Sequence, residues 1–177
     1  EDLRGALSRM SPVPRYEPIN RSLYHWFDGD GMIDAFFFDG KQVAHKNRWV
    51  RTEKLAIEER AGRALFGGLR DLASSTQLAG FFGLGFTAEE MLRLQLGSYL
   101  GQRPSQDQIA RILRSMDRSN TSIQLLAGKL LSLVEGSGAH EIDPQTLATL
   151  GRFDFSGALD PLRGGMVAHP KVDHESS

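Results

Sequence analysis

Three turn signals, each set between short apolar runs, constrain this chain more than any other feature. Residues 33–38 and 42–51 are rich in apolar and aromatic side chains and flank Asp39-Gly40-Lys41. Glycine accepts the positive φ of a tight turn, so the segment reads as a β-hairpin. Residues 122–126 and 130–134 repeat the arrangement around Ala127-Gly128-Lys129. A third pair, 139–142 and 147–153, is separated by Asp143-Pro144-Gln145-Thr146, where proline presets φ for a type I turn. Short strands punctuated in this way predict an antiparallel β architecture, a propeller or sandwich in preference to a parallel sheet. With 177 residues, one domain with a real core is the default.

The hydrophobic period changes between the hairpins. Residues 53–65 carry Leu55 and Ile57 among charges and read as a short helix. Thr87-Ala-Glu-Glu90 fits a capping box, after which Leu92, Leu96, Tyr99 and Leu100 share one face, and Gly101 ends the helix. Pro104 and Ser105 open another, with Ile109, Ile112, Leu113 and Met116 in a stripe. The β protein therefore carries a helical insertion over about residues 77–118. Ahead of these helices, residues 78–86 are glycine-rich and uncharged. Such a stretch either packs in a core or forms an apolar patch that dips into one membrane leaflet. No internal repeat or low-complexity linker indicates a second domain.

Charge and composition exclude several chemistries. Lys and Arg number 21 against 22 Asp and Glu, for a net charge of −1, so no basic footprint for nucleic acid exists. The absence of cysteine removes disulfides, thiolate nucleophiles and thiolate metal sites. No apolar run reaches the roughly 18 residues of a membrane-spanning helix. The chain starts at Glu1 and ends without closing an element, which suggests an excerpt of a longer protein.

Asp28, Asp30 and Asp34 alternate around Gly29 and Gly31 like a calcium loop. The closing position of an EF-hand loop counted from Asp28 is Asp39 instead of glutamate, so a tight acidic turn is the better reading. Of the histidines His25, His45, His140, His169 and His174, none stands in a His-Glu-x-x-His arrangement. His169 precedes Pro170, which pushes it to an extended backbone able to aim its ring rigidly. No nucleophile elbow or phosphate loop is present, and Gly80, Gly83 and Gly85 lack the context of a dinucleotide site. Unaided, the residues describe a β-rich domain with a helical insertion and one candidate metal-ligand histidine.

Several stretches, in order along the chain, resemble the N-terminal part of the carotenoid cleavage oxygenase family, which also includes stilbene-cleaving enzymes and the retinoid isomerase of the eye. They are residues 24–33 (Tyr-His-Trp-Phe-Asp-Gly-Asp-Gly-Met-Ile), 47–53, 128–135, 143–147, 151–155 and 168–173 (Ala-His-Pro-Lys-Val-Asp). The resemblance implies that residues 1–177 form the first blades of a single seven-bladed β-propeller domain, interrupted by the helical insertion. It further implies a ferrous ion (Fe2+) held by four histidines, of which His169 is the first, with Glu135 as an outer-shell group orienting an imidazole. The other three ligands lie beyond Ser177 in the family, and His25, His45, His140 and His174 do not match ligand positions.

The implied reaction is oxidative cleavage by O2 of a conjugated double bond in a carotenoid, apocarotenoid or stilbene, giving two carbonyl products. Phe81, Phe82, Leu84, Phe86, Leu92 and Leu96 would form a patch that contacts a membrane peripherally and admits substrate, with Arg93, Arg103, Arg111 and Arg114 either facing head groups or forming the solvated face of the helices. The implied location is cytoplasmic or plastid-type, membrane-associated at the periphery, with no targeting segment visible. Three departures within the chain qualify the match. Arg9-Met-Ser-Pro-Val-Pro14 replaces Arg-Asn-Gly-Pro-Asn-Pro, Asp34 stands where histidine is usual, and Leu125-Leu126 replaces an aromatic-histidine pair, while the family's Ala-Asn-Thr survives as Ser119-Asn-Thr121. The isolated chain is expected to be inactive. The alternative is a non-catalytic propeller fragment that binds polyenes or membranes, and isomerisation is not distinguished from cleavage.

Overall fold

The computed structural model describes residues 3–22, 24–67, 105, 117–135, 137–159 and 166–171. These form two antiparallel sheets and one helix, a mainly β fold as expected. The first sheet has the order β1 (Arg4–Val13), β2 (Asp30–Asp39), β3 (Val43–Trp49). The second is a meander of β4 (Ser122–Leu126), β5 (Lys129–Leu133), β6 (Ala139–Ile142) and β7 (Thr149–Phe153). Both sheets are open. The helices expected within residues 77–116 lie outside the described residues, while Asp117 and Arg118 belong to an irregular segment.

Turn chemistry accounts for all three hairpins. Asp39 Oδ1 accepts from the backbone N–H of Lys41 and of Gln42, both at 2.8 Å, which closes the β2–β3 turn. Those two bonds hold its carboxyl below the usual carboxylate range. Asp143 Oδ1 does the same for Gln145 and Thr146 at the third turn. There Leu147, read as strand from sequence, is instead a turn residue with φ 60 whose side chain is buried in the core. In the β4–β5 hairpin Ala127 and Gly128 both have positive φ, 48 and 76, and Lys129 already belongs to β5. Such a two-residue turn suits the twist of the strands but strains an alanine.

β1 has no counterpart in the sequence reading. None of its side chains is fully buried and its apolar residues do not alternate, so no period marks it. It forms by pairing with β2 along its whole length, Arg4 opposite Asp39 through Val13 opposite Asp30. As an outer strand it tolerates Pro12, which donates no ladder hydrogen bond.

The sheets pack through one face of each. Ile33 and Ala35 of β2, with Val50, meet Ile142 and Leu147, with Ile123 and Leu130 alongside. Full burial of a side chain such as Ile33 stabilises by about 1.5–3 kcal/mol. The other face of the second sheet buries Leu126, Leu131, Leu133 and Ala139 under Phe153, Phe155 and Met166. Sheet stacked on sheet with short meander connections is the arrangement of adjacent propeller blades.

Helix α1 (Glu53–Ala61) begins at Thr52, whose hydroxyl accepts from Leu55 N–H at 3.1 Å, and ends at Gly62 in the left-handed region. Leu55 and Ile57 are buried as the sequence suggested, but so are Lys54 and Glu58. Lys54 Nζ donates to Glu58 Oε2 at 2.7 Å and to Asp30 Oδ1 at 2.8 Å. Glu58 Oε1 accepts from the backbone of Leu65 and Phe66. The ammonium thus ties α1 to the start of β2 by donating to two buried carboxylates.

Residues 117–121 form a strap that crosses from the first sheet to the second. The Arg118 carbonyl accepts from Gly31 N–H at 2.9 Å, and Asn120 Nδ2 donates to the carbonyls of Phe27 and Gly29. A Cβ on Gly31 would stand 2.2 Å from the Ser119 carbonyl oxygen, so only glycine permits this approach. On the other side the strap meets a polar row in which Ser132, His140 and Arg152 are successive cross-strand partners on β5, β6 and β7. Ser119 Oγ lies 2.6 Å from Ser132 Oγ and 3.2 Å from His140 Nδ1, while Ser132 Oγ donates to the Ser119 carbonyl at 2.8 Å. His140 Nε2 is 3.8 Å and Arg152 is 3.6 Å from Asp117 Oδ2. Burial pushes the His140 imidazole below its usual range, against the pull of Asp117, and burial pushes the Asp117 carboxyl above its own.

Three outcomes are expected in the protein. Lys54→Ala, which strands the Asp30 and Glu58 carboxylates, should lower unfolding free energy in urea by about 3–5 kcal/mol. Ala127→Asn, a residue at ease with positive φ, should raise it by about 1 kcal/mol. The unfolded chain takes up the His140 proton near pH 6.5 whereas the folded chain takes it up only lower. Stability from this group is therefore complete above that pH and is lost as pH falls below it, by at most about 1.4 kcal/mol per pH unit. Asp117 acts with the opposite sign, losing its contribution as pH rises through its raised folded pKa. Urea titrations between pH 7 and 5 should show a steeper acid loss for the wild type than for His140→Gln; equal slopes would refute the assignment.

Candidate functional site

His169 stands in a short segment, residues 166–171, that lies against the second sheet. Met166 donates its N–H to the Ser137 carbonyl at 2.9 Å, and its side chain packs on the Leu126–Leu131–Leu133–Ala139 cluster. Ala168 is fully buried, and its carbonyl accepts from Ser122 Oγ at the start of β4. One residue further, His169 is exposed and no hydrogen bond or ion pair to a described residue engages its ring. The backbone is thus held on one side of the imidazole while the ring itself stays uncommitted.

Glu135 follows β5 by one residue beyond Val134, and is also exposed. No hydrogen bond joins it to His169. Its strand is registered against β4 by Ser122 opposite Leu133 and by Thr121 N–H donating to the Leu133 carbonyl at 3.0 Å. The described residues bring no second imidazole to His169. They also contain no group of three or more His, Asp or Glu side chains able to hold a metal ion. Taken with imidazole's suitability for iron, a free, backbone-anchored ring fits one ligand of a metal centre, and only one. The proposed membrane patch, Phe81, Phe82, Leu84, Phe86, Leu92 and Leu96, lies outside the described residues, as do Arg93, Arg103, Arg111 and Arg114. No helix among the described residues is long and apolar enough to cross a membrane.

The acidic cluster has other duties. Asp28 closes a single 3-10 turn over Trp26–Asp28, its carboxylate accepting from His25 N–H at 2.8 Å. Asp30 holds Lys54 and accepts from Arg15 N–H, and Asp34 pairs with His45 at 3.0 Å on the surface. The three carboxylates are thus committed to capping and ion pairs, in keeping with the acidic-turn reading. Trp26 and Phe27 stack at 5.3 Å and remain largely exposed.

Sequence reasoning missed the Asp117–His140–Ser119 constellation, whose members resemble an acid–base–nucleophile set. Ser119 is fully buried and its hydroxyl is engaged by Ser132, and Asp117 is too far from the imidazole for a normal hydrogen bond. A nucleophile needs access to substrate, so the set serves as the lock between strap and sheet. Alternation in 139–142 marked His140 as facing one side of a strand, but nothing local announced its partners.

Comparisons with known proteins agree with this architecture. The chain is 32% identical over 174 residues to carotenoid 9,10(9',10')-cleavage dioxygenase 1 of Phaseolus vulgaris, covering 97% of this chain and 28% of that protein. It is 30% identical over 172 residues to resveratrol cleavage oxygenase 1 of Chaetomium globosum, covering 97% of this chain and 23% of that protein. Among solved structures, a variant of the Synechocystis apocarotenoid oxygenase superposes with a TM-score of 0.61 at 30% identity, over 96% of this chain and 29% of that one. The chain therefore spans less than a third of the length of these relatives. The profile of the retinal pigment epithelial membrane protein family matches residues 1–177, and the chain belongs to that family.

Proposed function

We propose that the protein containing this chain is an iron-dependent dioxygenase that cleaves a conjugated carbon–carbon double bond of a carotenoid, apocarotenoid or stilbene-type substrate with O2, giving two carbonyl products. Membership of a family whose relatives include carotenoid and resveratrol cleavage oxygenases is the observation that carries this reading. A ferrous ion bound by neutral imidazoles would supply O2 chemistry with coordination positions left open for it.

Within that reading His169 contributes one imidazole. Its segment is fixed at Met166 and Ala168, so the ring is presented from a backbone that does not have to be ordered when the ion binds. Pro170 keeps the residue extended. Glu135 serves as an acceptor that orients an imidazole of the centre and fixes its tautomer, with the remaining ligands supplied by the longer protein. The apolar side chains Phe81, Phe82, Leu84, Phe86, Leu92 and Leu96 contact a leaflet and admit an apolar substrate from it. Alone, the chain offers one ligand and is inactive.

The full-length protein should carry about one iron per chain, and His169→Ala should lose both iron and turnover. Metal analysis alongside a polyene-cleavage assay checks this. Iron retained at the wild-type level in His169→Ala would remove the residue from the centre. A wild-type protein free of iron that still binds polyene vesicles would favour the non-catalytic alternative.

A further inference from the structure

We propose that Ser122 is a positioning residue for the metal centre, setting the orientation of His169 through the backbone of Ala168. This rests on His169 being a ligand. Ser122 Oγ donates to the Ala168 carbonyl across 46 positions of sequence. Ala168 is completely buried, so its carbonyl has no water to turn to, and leaving it unpaired costs about 1–3 kcal/mol. The bond lies one peptide from His169. Rotation of that peptide, which the bond opposes, would swing the imidazole as a lever.

Ser122 also sits at the junction of the two proposed site residues. In the β4–β5 ladder it faces Leu133, the last residue of β5, two positions before Glu135. One strand end thereby registers both the segment bearing the carboxylate and the segment bearing the imidazole. The second tie, Met166 N–H to the Ser137 carbonyl, holds the 166–171 segment to the sheet but acts three residues from His169. The Ser122 hydroxyl is the side-chain contact nearest to the ligand's backbone among those described.

A merely structural role would make Ser122 one more group that satisfies a buried carbonyl, and its loss would lower stability without touching the metal. The two roles separate in the full-length protein, loaded with Fe(II) or with Co(II) as a spectroscopic probe. Competition with a chelator measures affinity, the visible Co(II) bands report ligand geometry, and thermal unfolding of the metal-free protein reports stability. Ser122→Ala should weaken metal binding about 10–100-fold and shift the Co(II) bands, as loss of outer-shell support does. Ser122→Thr, which keeps the hydroxyl, should restore both.

Ile123→Ala, which trims the neighbouring core without touching the segment, should lower the unfolding temperature yet leave affinity and bands unchanged. Should Ser122→Ala fail to fold, Ser122→Cys carries the test, since its weaker donor should lower affinity by an intermediate amount. Wild-type affinity and spectrum in Ser122→Ala, or in Ser122→Cys where alanine does not fold, would overturn the proposal. So would an Ile123→Ala variant that loses affinity as much as Ser122→Ala. If His169→Ala itself retains wild-type affinity, the ligand assignment fails instead, and the two failures remain distinct.

Discussion

The architecture depends on the close crossing of the 117–121 strap over the start of β2. Gly31 has no side chain, so the Ser119 carbonyl can come within reach of its backbone and the Arg118 carbonyl can take its N–H. Asn120 can then satisfy two carbonyls around the 3-10 turn, and the strap delivers Ser119 to the polar row of the second sheet. The hydrophobic contact between sheets is non-directional and would tolerate sliding. Hydrogen bonds at the strap are directional and define one register, because a slide would break several of them at once.

Buried charge is handled in two different ways. Around Lys54 the charges are of opposite sign and close, so two carboxylates and one ammonium share the cost of desolvation. Around Asp117 and His140 the spacing is too long for a strong bond, and burial dominates both titrations. The first cluster is a tether between helix and sheet. The second makes the strap junction sensitive to acid, since burial disfavours a protonated His140 more than Asp117 favours it.

The proposed ligand follows from the same economy of anchoring. A side chain that meets a metal must be free at its tip and fixed at its root. His169 satisfies both conditions: Ala168 before it is buried and hydrogen-bonded and Met166 is tied to Ser137, while its ring makes no bond to a described residue. Glu135 is exposed in the turn that follows β5. Ser122 connects the two roots, which gives a serine at a strand start more consequence than its residue type announces.

The hairpins were legible in the residues themselves because a turn is local. Asp39-Gly40, Ala127-Gly128 and Asp143-Pro144 carry their backbone preferences and hydrogen bonds within a few positions. The helix read over 53–65 from Leu55 and Ile57 was legible in its start and type, while the structure ends it at Ala61, before the left-handed Gly62. His169 was visible as a candidate only because proline follows it, and its rank came from a family resemblance. Local chemistry could not reveal β1, which exists by pairing with β2 and has no pattern of its own. Nor could it reveal the burial of Lys54 against Asp30, the closure of the strap over Gly31 or the reach of Ser122 to Ala168. Each joins groups distant in sequence, and only the packed chain decides which of them lose their water and must find one another.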